Sequence, residues 1–421
     1  MTLLPDDRSR ASRRQTGLNH RAACHDPRRG EGWQRPDYPI CVIARSNEAK
    51  ALGIKMGDAY HLRKRAFADW GVQVFSSNYT LYGDISARVM RVLSEFTPDL
   101  EVYSIDEAFL GLAGFSDPEG HGRRLRATVA RQTGIPVCVG IASTKTLAKV
   151  ANRTAKKDLA RGGVCLLDTE AAQTEALSKL ALDDIWGIGG RLAPKLVALG
   201  ITTPLELRAA DPVMIRQRFN VVVQRTVLEL KGIACLDLER DSPDSKTICS
   251  ARSFGRSVER FEELAEALTT YVSRSAEKLR RQRLAAAAVS VLVSTNRHKA
   301  EEPQHHATRH VRLTIATADT GRLIRAALYG LRGIYRPGFR YKKTGILLLD
   351  LIPAAGVQGS LFLQPDDPRR LALMGAIDGI NQRYGRDRVR FAGTGLERGW
   401  KLKAEFHSPR YTTRWDELLR V

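Results

Sequence analysis

Two adjacent carboxylates, Asp106 and Glu107, are the first candidates for chemistry in this 421-residue sequence. They lie between two apolar runs, residues 101–105 and 108–112, which are typical of the two arms of a β-hairpin. Side chains along a strand alternate between its faces, so both carboxylates reach one site only at a turn or another irregular point. Oxygen ligands in that position suit Mg²⁺, whereas an ordinary solvated turn is the competing interpretation.

Basic side chains form the second candidate site. They lie along two predicted helices, at Arg45, Lys50, Lys145, Lys149, Lys156 and Lys157. Lys149 and Lys156 are seven residues apart, which places them on the same face of a helix. Cations gathered on one face can neutralise a triphosphate during nucleotidyl transfer. A solvated lysine face is the alternative that spacing alone leaves open.

A glycine-rich turn is the third candidate. Gly187 and Gly189 lie in the run Asp-Ile-Trp-Gly-Ile-Gly-Gly at 184–190, and Lys195 follows in the next predicted helix. A Gly-x-Gly turn between helices exposes backbone N–H groups and lets a phosphate approach closely. The pattern resembles a helix-hairpin-helix, a contact to the DNA backbone that does not depend on base sequence. A tight helix–helix turn is the alternative.

The fourth candidate is a short peptide that contains Gln358, Leu361 and Phe362. It resembles the peptide with which bacterial polymerases dock on the sliding clamp. Its two apolar side chains lie in a stretch without a predicted core, which suits a pocket on a partner protein. A chance match over five residues is the alternative.

The composition limits the class of protein. Lys and Arg number 67 against 46 Asp and Glu, and the formal net charge of +21 favours a polyanionic partner, most simply nucleic acid. The hydrophobic content of 43% supports folded cores, and no apolar run approaches the roughly 20 residues of a membrane span. The six cysteines include no C-x-x-C pair, which argues against a zinc module or a disulfide framework and predicts a reducing cytoplasm.

The elements that position these candidates follow a pattern typical of a multi-domain α/β protein. Strands and helices alternate over residues 72–167, helices dominate 171–235, and 243–245 has the composition of a linker. Residues 248–352 follow the order β-α-β-β-α-β of a ferredoxin-like unit. Residues 1–39 differ, because they are rich in arginine and lack periodicity, as is typical of a disordered leader.

Together these motifs resemble the Y-family of translesion DNA polymerases, in particular the UmuC branch, which contains the catalytic subunit of DNA polymerase V. The resemblance runs from about residue 40 to the C-terminus, and residues 40–57, 103–109, 139–149 and 187–189 carry it. It implies a right-hand polymerase fold with five regions. These are an aberrant leader (1–39), fingers and an incomplete palm (40–170), a helix-hairpin-helix thumb (171–242), a ferredoxin-like little finger (243–353) and a C-terminal tail with the clamp-binding peptide (354–421).

The resemblance also implies the roles of single residues. Asp106 and Glu107 match the catalytic palm carboxylates that hold Mg²⁺. The triphosphate contacts would be Arg45, Lys50 and Lys156; the DNA contacts Gly187, Gly189 and Lys195; the clamp contacts Gln358, Leu361 and Phe362. The implied setting is error-prone synthesis in the SOS response to DNA damage, in the cytoplasm at the nucleoid and away from membranes. The implied partners are primer-template DNA, deoxynucleoside triphosphates, the sliding clamp, a UmuD-like accessory protein and a recombinase filament.

One departure from the family pattern concerns the first strand of the palm. The family opens with a strand whose Asp bridges both metals, followed by aromatic residues that exclude ribonucleotides, and residues 1–39 contain no such pattern. We therefore predict that the chain lacks this strand and one of three metal ligands, and that it extends primers weakly or not at all. Three hypotheses stay open: an active polymerase with an unrecognised third carboxylate, a non-catalytic DNA- and clamp-binding remnant, and a basic scaffold protein.

Overall fold

The computed structural model describes residues 2–3, 41–239, 245–359, 365–401 and 406–418. They belong to two compact units, of which the first contains 2–3, 41–239 and 406–418, and the second contains 245–359 and 365–401. Apart from Thr2 and Leu3, the predicted leader lies outside the described residues. Leu361 and Phe362 of the predicted clamp-binding peptide also lie outside them.

The strands of the first unit form one small sheet and one separate hairpin. Its described strands are β1 (Thr2–Leu3), β2 (Leu100–Val102), β3 (Ala108–Leu110), β4 (Val137–Ala142) and β5 (Val164–Leu167). β4 lies between β1 and β5, and it pairs with β5 in parallel. Val137, Val139 and Ile141 are buried along β4, because alternate side chains of a strand point to one face. β2 and β3 pair only with each other within the described residues.

Ten helices surround these strands in the described part of the first unit. They are α1 (Asn47–Ala51), α2 (Tyr60–Asp69), α3 (Tyr79–Ser94), α4 (Pro118–Thr133), α5 (Lys145–Lys157), α6 (Glu170–Ser178), α7 (Ala193–Val197), α8 (Pro204–Ala209), α9 (Pro212–Arg218) and α10 (Val221–Leu230). α5 connects β4 to β5, as a parallel pair requires. Thr144 caps it by accepting a hydrogen bond from the backbone N–H of Leu147 at 3.2 Å.

Helix α5 joins the strands of the first unit to its helical part. Leu147, Val150 and Ala151 are buried on one side of α5, in the same core as Leu196 and Leu207 of the helical region. This side is apolar at helical spacing, so the basic residues of α5 fall on its other sides. The helical nature of this region was predicted from sequence and is confirmed.

The second unit is built on one antiparallel sheet. Its strands are β6 (Ile248–Val258), β7 (Leu284–Thr295), β8 (His306–Thr317) and β9 (Tyr341–Pro353), and its helices are α11 (Phe261–Arg281), α12 (Thr320–Arg332) and α13 (Pro368–Tyr384). The predicted order β-α-β-β-α-β is confirmed over β6 to β9. The strand order β6-β9-β7-β8 makes two split β-α-β units, because β9 separates β6 from β7 and β7 separates β8 from β9.

The C-terminal residues divide between the two units. In the second unit, α13 is held by Asp378, which accepts two hydrogen bonds of 2.7 Å from Arg280 of α11. In the first unit, Ser408 accepts a hydrogen bond of 2.9 Å at its carbonyl from the side-chain amide of Asn78, which also caps α3. In the described residues, no helix combines the length and apolarity that crossing a membrane requires.

Candidate functional site

The acidic pair lies in the turn of the β2–β3 hairpin. Val102 pairs with Ala108, and the backbone N–H groups of Tyr103 and Ser104 donate to the carbonyl of Glu107 at 3.1 and 3.0 Å. The Ser104 hydroxyl donates to Asp106 Oδ1 at 2.6 Å. The predicted hairpin is confirmed, although its strands are shorter than the predicted arms. An irregular turn therefore presents both carboxylates, as strand alternation requires.

Glu107 is ion-paired with helix α5. Lys149 Nζ lies 2.7 Å from Glu107 Oε2, and the two side chains are 14% and 23% exposed. The same ammonium lies 4.8 Å from the centre of the Tyr103 ring and 5.4 Å from those of Phe109 and Trp186. Lys149 was predicted as a triphosphate contact or as part of a solvated face. The structure instead places it in an aromatic cage beside the acidic pair.

One side of α5 carries four basic residues at four-residue spacing, which are Lys145, Lys149, Arg153 and Lys157. Each is paired with a carboxylate, the first two on the hairpin and the last two on Asp184, which precedes the glycine-rich turn. Burial raises the pKa of Asp184, but the hydrogen bond from Lys157 and the charge of Arg153 bring it below its ordinary value. These four ion pairs therefore connect both the hairpin and the glycine-rich turn to α5.

The acidic pair contributes to the electrostatic environment of Lys156. Burial lowers the pKa of Lys156 to about 8, and the carboxylates of Glu107 and Asp106 act in the opposite direction. A partly buried lysine with a lowered pKa gains from an arriving anion more than a solvated lysine does. The side chain therefore fits the predicted role near a triphosphate.

Arg45 and Lys50 lie at helix α1 and the loop before it. Arg45 Nη1 donates to the carbonyl of Ile54 at 2.9 Å, and its buried Nε has no hydrogen-bond partner in the described part of the chain. Lys50 Nζ donates to Asn47 Oδ1 at 3.1 Å. A buried guanidinium N–H without a partner is suited to receiving an anion.

The glycine-rich turn leads into helix α7. Gly187 has φ +87°, a left-handed conformation that favours glycine. Gly189 is exposed, and a Cβ added there would meet nothing within 4 Å, so a ligand has room to approach its backbone. Lys195 is also exposed, on α7. The backbone at Gly189 and the side chain of Lys195 are therefore both accessible to a ligand within one segment of the chain.

The donor set of the acidic pair fits Mg²⁺ in kind, because carboxylate oxygens are the hard ligands that this ion takes. The described residues contain no group of three or more His, Cys, Asp or Glu side chains that could hold a metal ion. β1 carries only Thr2 and Leu3, so it adds no carboxylate. The prediction that the first palm strand and its Asp are missing concerns residues outside the described part and stays a prediction.

The sequence analysis missed two features of this site. It did not link Trp186, which closes the cage around Lys149, to the acidic pair, and it gave no role to Glu101, which is 7% exposed and ion-paired with Lys145. The run of basic residues every four positions, facing a hairpin with Tyr103 and Phe109 beside its acidic pair, was the available signal. Of the predicted clamp contacts, the structure describes Gln358, which is exposed.

Family models match most of the chain. The impB/mucB/samB family matches residues 28–153, the IMS family HHH motif matches 170–201, and the impB/mucB/samB family C-terminal domain matches 245–361. A domain of unknown function (DUF4113) matches 372–421. The helix-hairpin-helix predicted around Gly187 and Gly189 lies within the second of these matches and is confirmed.

Whole-chain relatives agree with these matches. The chain is 43% identical over 387 residues to the protein UmuC of Salmonella typhimurium, which covers 90% of this chain and 92% of that protein. It is 38% identical over 380 residues to the protein MucB of Escherichia coli, covering 89% of each. It is 30% identical over 351 residues to DNA polymerase IV of Moorella thermoacetica, covering 82% of this chain and 84% of that one.

A solved structure has a similar fold. The Y-family DNA polymerase chimera Dbh-Dpo4(243-245)-Dbh superimposes with a TM-score of 0.60 at 19% identity, over 74% of this chain and 88% of that one. At this identity the similarity concerns the fold. It agrees with the α/β right-hand architecture that the sequence predicts.

Proposed function

This chain belongs to the impB/mucB/samB family of Y-family translesion DNA polymerases, and we propose that it adds nucleotides opposite damaged template bases by Mg²⁺-dependent nucleotidyl transfer. One observation carries the proposal. The β2–β3 turn presents Asp106 and Glu107 together, with Lys149 ion-paired to Glu107 and Lys156 within the field of both carboxylates. Oxygen ligands for a divalent cation thus lie beside cations suited to phosphate, which is what transfer from a triphosphate requires.

The proposed roles follow the chemistry of each side chain. Asp106 and Glu107 would hold Mg²⁺, which when bound activates the primer 3′-hydroxyl and stabilises the charge of the departing pyrophosphate. Arg45, with its unpartnered Nε, Lys50 and Lys156 would bind the triphosphate. Ser104 orients Asp106 by its hydrogen bond of 2.6 Å.

Two surfaces would bind primer-template DNA. The first is the open glycine turn with Gly187, Gly189 and Lys195, whose backbone is accessible to a phosphate. The second is the face of the second-unit sheet on which alternate residues of β8, including His310 and Arg312, are exposed. A sheet with one polar, solvent-facing side can follow the surface of a duplex without requiring a base sequence.

Further partners are proposed from the family resemblance. The peptide with Gln358, Leu361 and Phe362 would bind the sliding clamp, and a UmuD-like protein and a recombinase filament would assist synthesis. The place of action would be the cytoplasm at the nucleoid, where damaged template and these partners occur.

The second candidate function is a non-catalytic remnant that binds DNA and clamp. It is favoured by the two-carboxylate donor set, because two divalent cations facing two carboxylates lack charge compensation. In the described residues, neither β1 nor the surroundings of the hairpin supply a third carboxylate ligand.

Primer extension tests the proposal. The full chain is incubated with Mg²⁺, deoxynucleoside triphosphates and a primer annealed to an intact template or to one with an abasic site. Primer extension by the wild-type chain that is lost in the Asp106→Asn variant supports the polymerase function. DNA binding that weakens steeply with salt, without any extension, supports the remnant. Absence of both contradicts both functions.

A further inference from the structure

The Lys149 ammonium has two kinds of partner at once. Glu107 Oε2 lies 2.7 Å from it, and the rings of Tyr103, Phe109 and Trp186 surround it at 4.8, 5.4 and 5.4 Å. The rings also contact each other, with centroids 5.6 to 5.8 Å apart. Aromatic faces attract a cation electrostatically, and the attraction grows as water is excluded. The side chain of Lys149 is only 14% exposed, so the ammonium is largely shielded from water, while the outer ring, Tyr103, is 46% exposed.

The cage connects two distant parts of the sequence. Tyr103 and Phe109 lie on either side of the acidic pair, whereas Trp186 directly precedes Gly187 of the glycine-rich turn. Ile185 and Ile188, on both sides of Trp186, are each 2% exposed in the core that also contains residues of α5. Trp186, itself partly exposed, is thus held by neighbours that are anchored in the core, and the one ammonium touches both the metal-binding turn and the segment that enters the DNA-binding turn.

A cation that binds Glu107 must share or take the carboxylate oxygen that Lys149 now uses. An ammonium that loses its carboxylate in a dry site is strongly destabilised unless another partner holds it. The three rings are that partner, and they are already in place. Lys145 differs, because it is bound to Glu101 and to the carbonyl of Asp237, and of the three rings it lies over Phe109, at 5.1 Å.

We propose that Lys149 is a positioning residue whose aromatic cage holds its ammonium while a divalent cation takes over Glu107. Trp186 thereby couples the DNA-binding turn to the metal-binding carboxylate. The inference rests on the proposed function in one respect, since it takes Glu107 to be a ligand of the divalent cation.

Titration with Mn²⁺, a paramagnetic substitute for Mg²⁺, tests the coupling without requiring activity. The full chain is titrated and the free Mn²⁺ is measured by electron paramagnetic resonance. Trp186→Leu should weaken Mn²⁺ binding about fivefold, the equivalent of one lost cation–π contact. Trp186→Phe, which keeps a ring, should recover most of that loss. Lys149→Met should bind Mn²⁺ more tightly, because the competing charge is gone.

Combining Trp186→Leu with Lys149→Met tests whether Trp186 acts on Mn²⁺ binding through Lys149. In the Lys149→Met background Trp186→Leu should have no effect on Mn²⁺ affinity, whereas in the matched Lys145→Met background it should keep its full effect. An equal loss in the Lys149→Met background, or failure of Trp186→Phe to restore binding, overturns the inference. Thermal melts of every variant show whether a loss comes from unfolding instead, and Trp186→Phe preserves a folded comparison.

One further variant separates this inference from the proposed function. Glu107→Gln should weaken Mn²⁺ binding in its own right. If it does not, the proposed metal site is wrong, and the inference falls with it. If it does, but the effects of Trp186→Leu and Lys149→Met simply add, only the inference is overturned.

Discussion

The two ends of the β2–β3 hairpin carry the same ion pair in two different settings. Glu101 pairs with Lys145 and Glu107 pairs with Lys149, so the carboxylates meet lysines four residues apart on α5. Glu101 also accepts the backbone N–H of Glu239 at 2.8 Å, and Lys145 also donates to the carbonyl of Asp237 at 2.6 Å. The Glu101 end is locked by the chain that covers it. The Glu107 end is more exposed, and its lysine is surrounded by three aromatic rings.

The comparison shows that the ion pair does not by itself mark a functional residue. Both pairs place a carboxylate against α5, but additional backbone hydrogen bonds commit Glu101 to the fold. Glu107 is 23% exposed and lies at a turn rather than within a strand. We therefore expect changes at Glu101 to affect mainly stability and changes at Glu107 to affect mainly chemistry.

The largest expected effect is on chemistry at the Glu107 end. Glu107→Gln should lower primer extension at least about 100-fold, because it removes one of the two carboxylates proposed to hold Mg²⁺. Glu101→Gln, assayed below its melting temperature, should retain most of the activity. Single-turnover extension with Mg²⁺ measures both variants. Equal losses of primer extension in Glu107→Gln and Glu101→Gln would contradict the proposed functional difference between the two ends of the hairpin.

The next effect is on stability at the Glu101 end. Glu101→Gln leaves Lys145 largely buried without its counter-ion and should lower the free energy of unfolding by about 3 kcal/mol. Glu107→Gln should change it by less than about 1 kcal/mol, since the three aromatic rings still hold the Lys149 ammonium when its carboxylate is gone. Urea denaturation followed by circular dichroism compares them. A larger loss for Glu107→Gln would contradict the assignment of the two roles.

A smaller effect should come from the chain that covers the Glu101 end. A Cβ at Gly111 would lie 2.8 Å from Asp99 Cβ and 3.2 Å from Leu238 Cδ1. Gly111→Ala should therefore cost about 1 kcal/mol and speed proteolysis near Leu238, because overpacking displaces the covering segment. Gly189→Ala, with nothing within 4 Å of the new methyl group, is the matched control for stability. Unchanged proteolysis of Gly111→Ala would show that this segment is not held by packing.

A separate effect concerns Lys156 and pH. Its pKa is about 8 in the folded protein against 10.5 unfolded, so folding releases protons and the wild type gains stability as pH rises between those values. Lys156→Met lacks this dependence, so its melting temperature relative to wild type should be highest near neutral pH and should decline above pH 8. Thermal melts across this range in the presence of a chelator measure it. A pH-independent difference would mean that Lys156 is not destabilised by burial.

Local patterns made much of this structure predictable. The acidic turn, the glycine turn and the β-α-β-β-α-β order each follow from residues close together in the sequence, where alternation and turn chemistry decide the backbone. The cage could not be derived in this way, because Lys149 meets Trp186 and Glu107 only after α5 has packed on the hairpin. The bond from Asn78 to Ser408 likewise depends on contacts across 330 positions. Long-range side-chain contacts leave no periodic signature.

The return of residues 406–418 to the first unit has a consequence for synthesis on the ribosome. Asn78 and Ser408 are 330 positions apart, so at about 5–20 residues per second Asn78 emerges roughly 15–70 s before its partner. The first half of that interval completes the first unit up to residue 242, and the second half is spent on residues 243–405 of the second unit. The nascent first unit must therefore persist with this patch of its surface uncovered until residues 406–418, translated after the second unit, reach it.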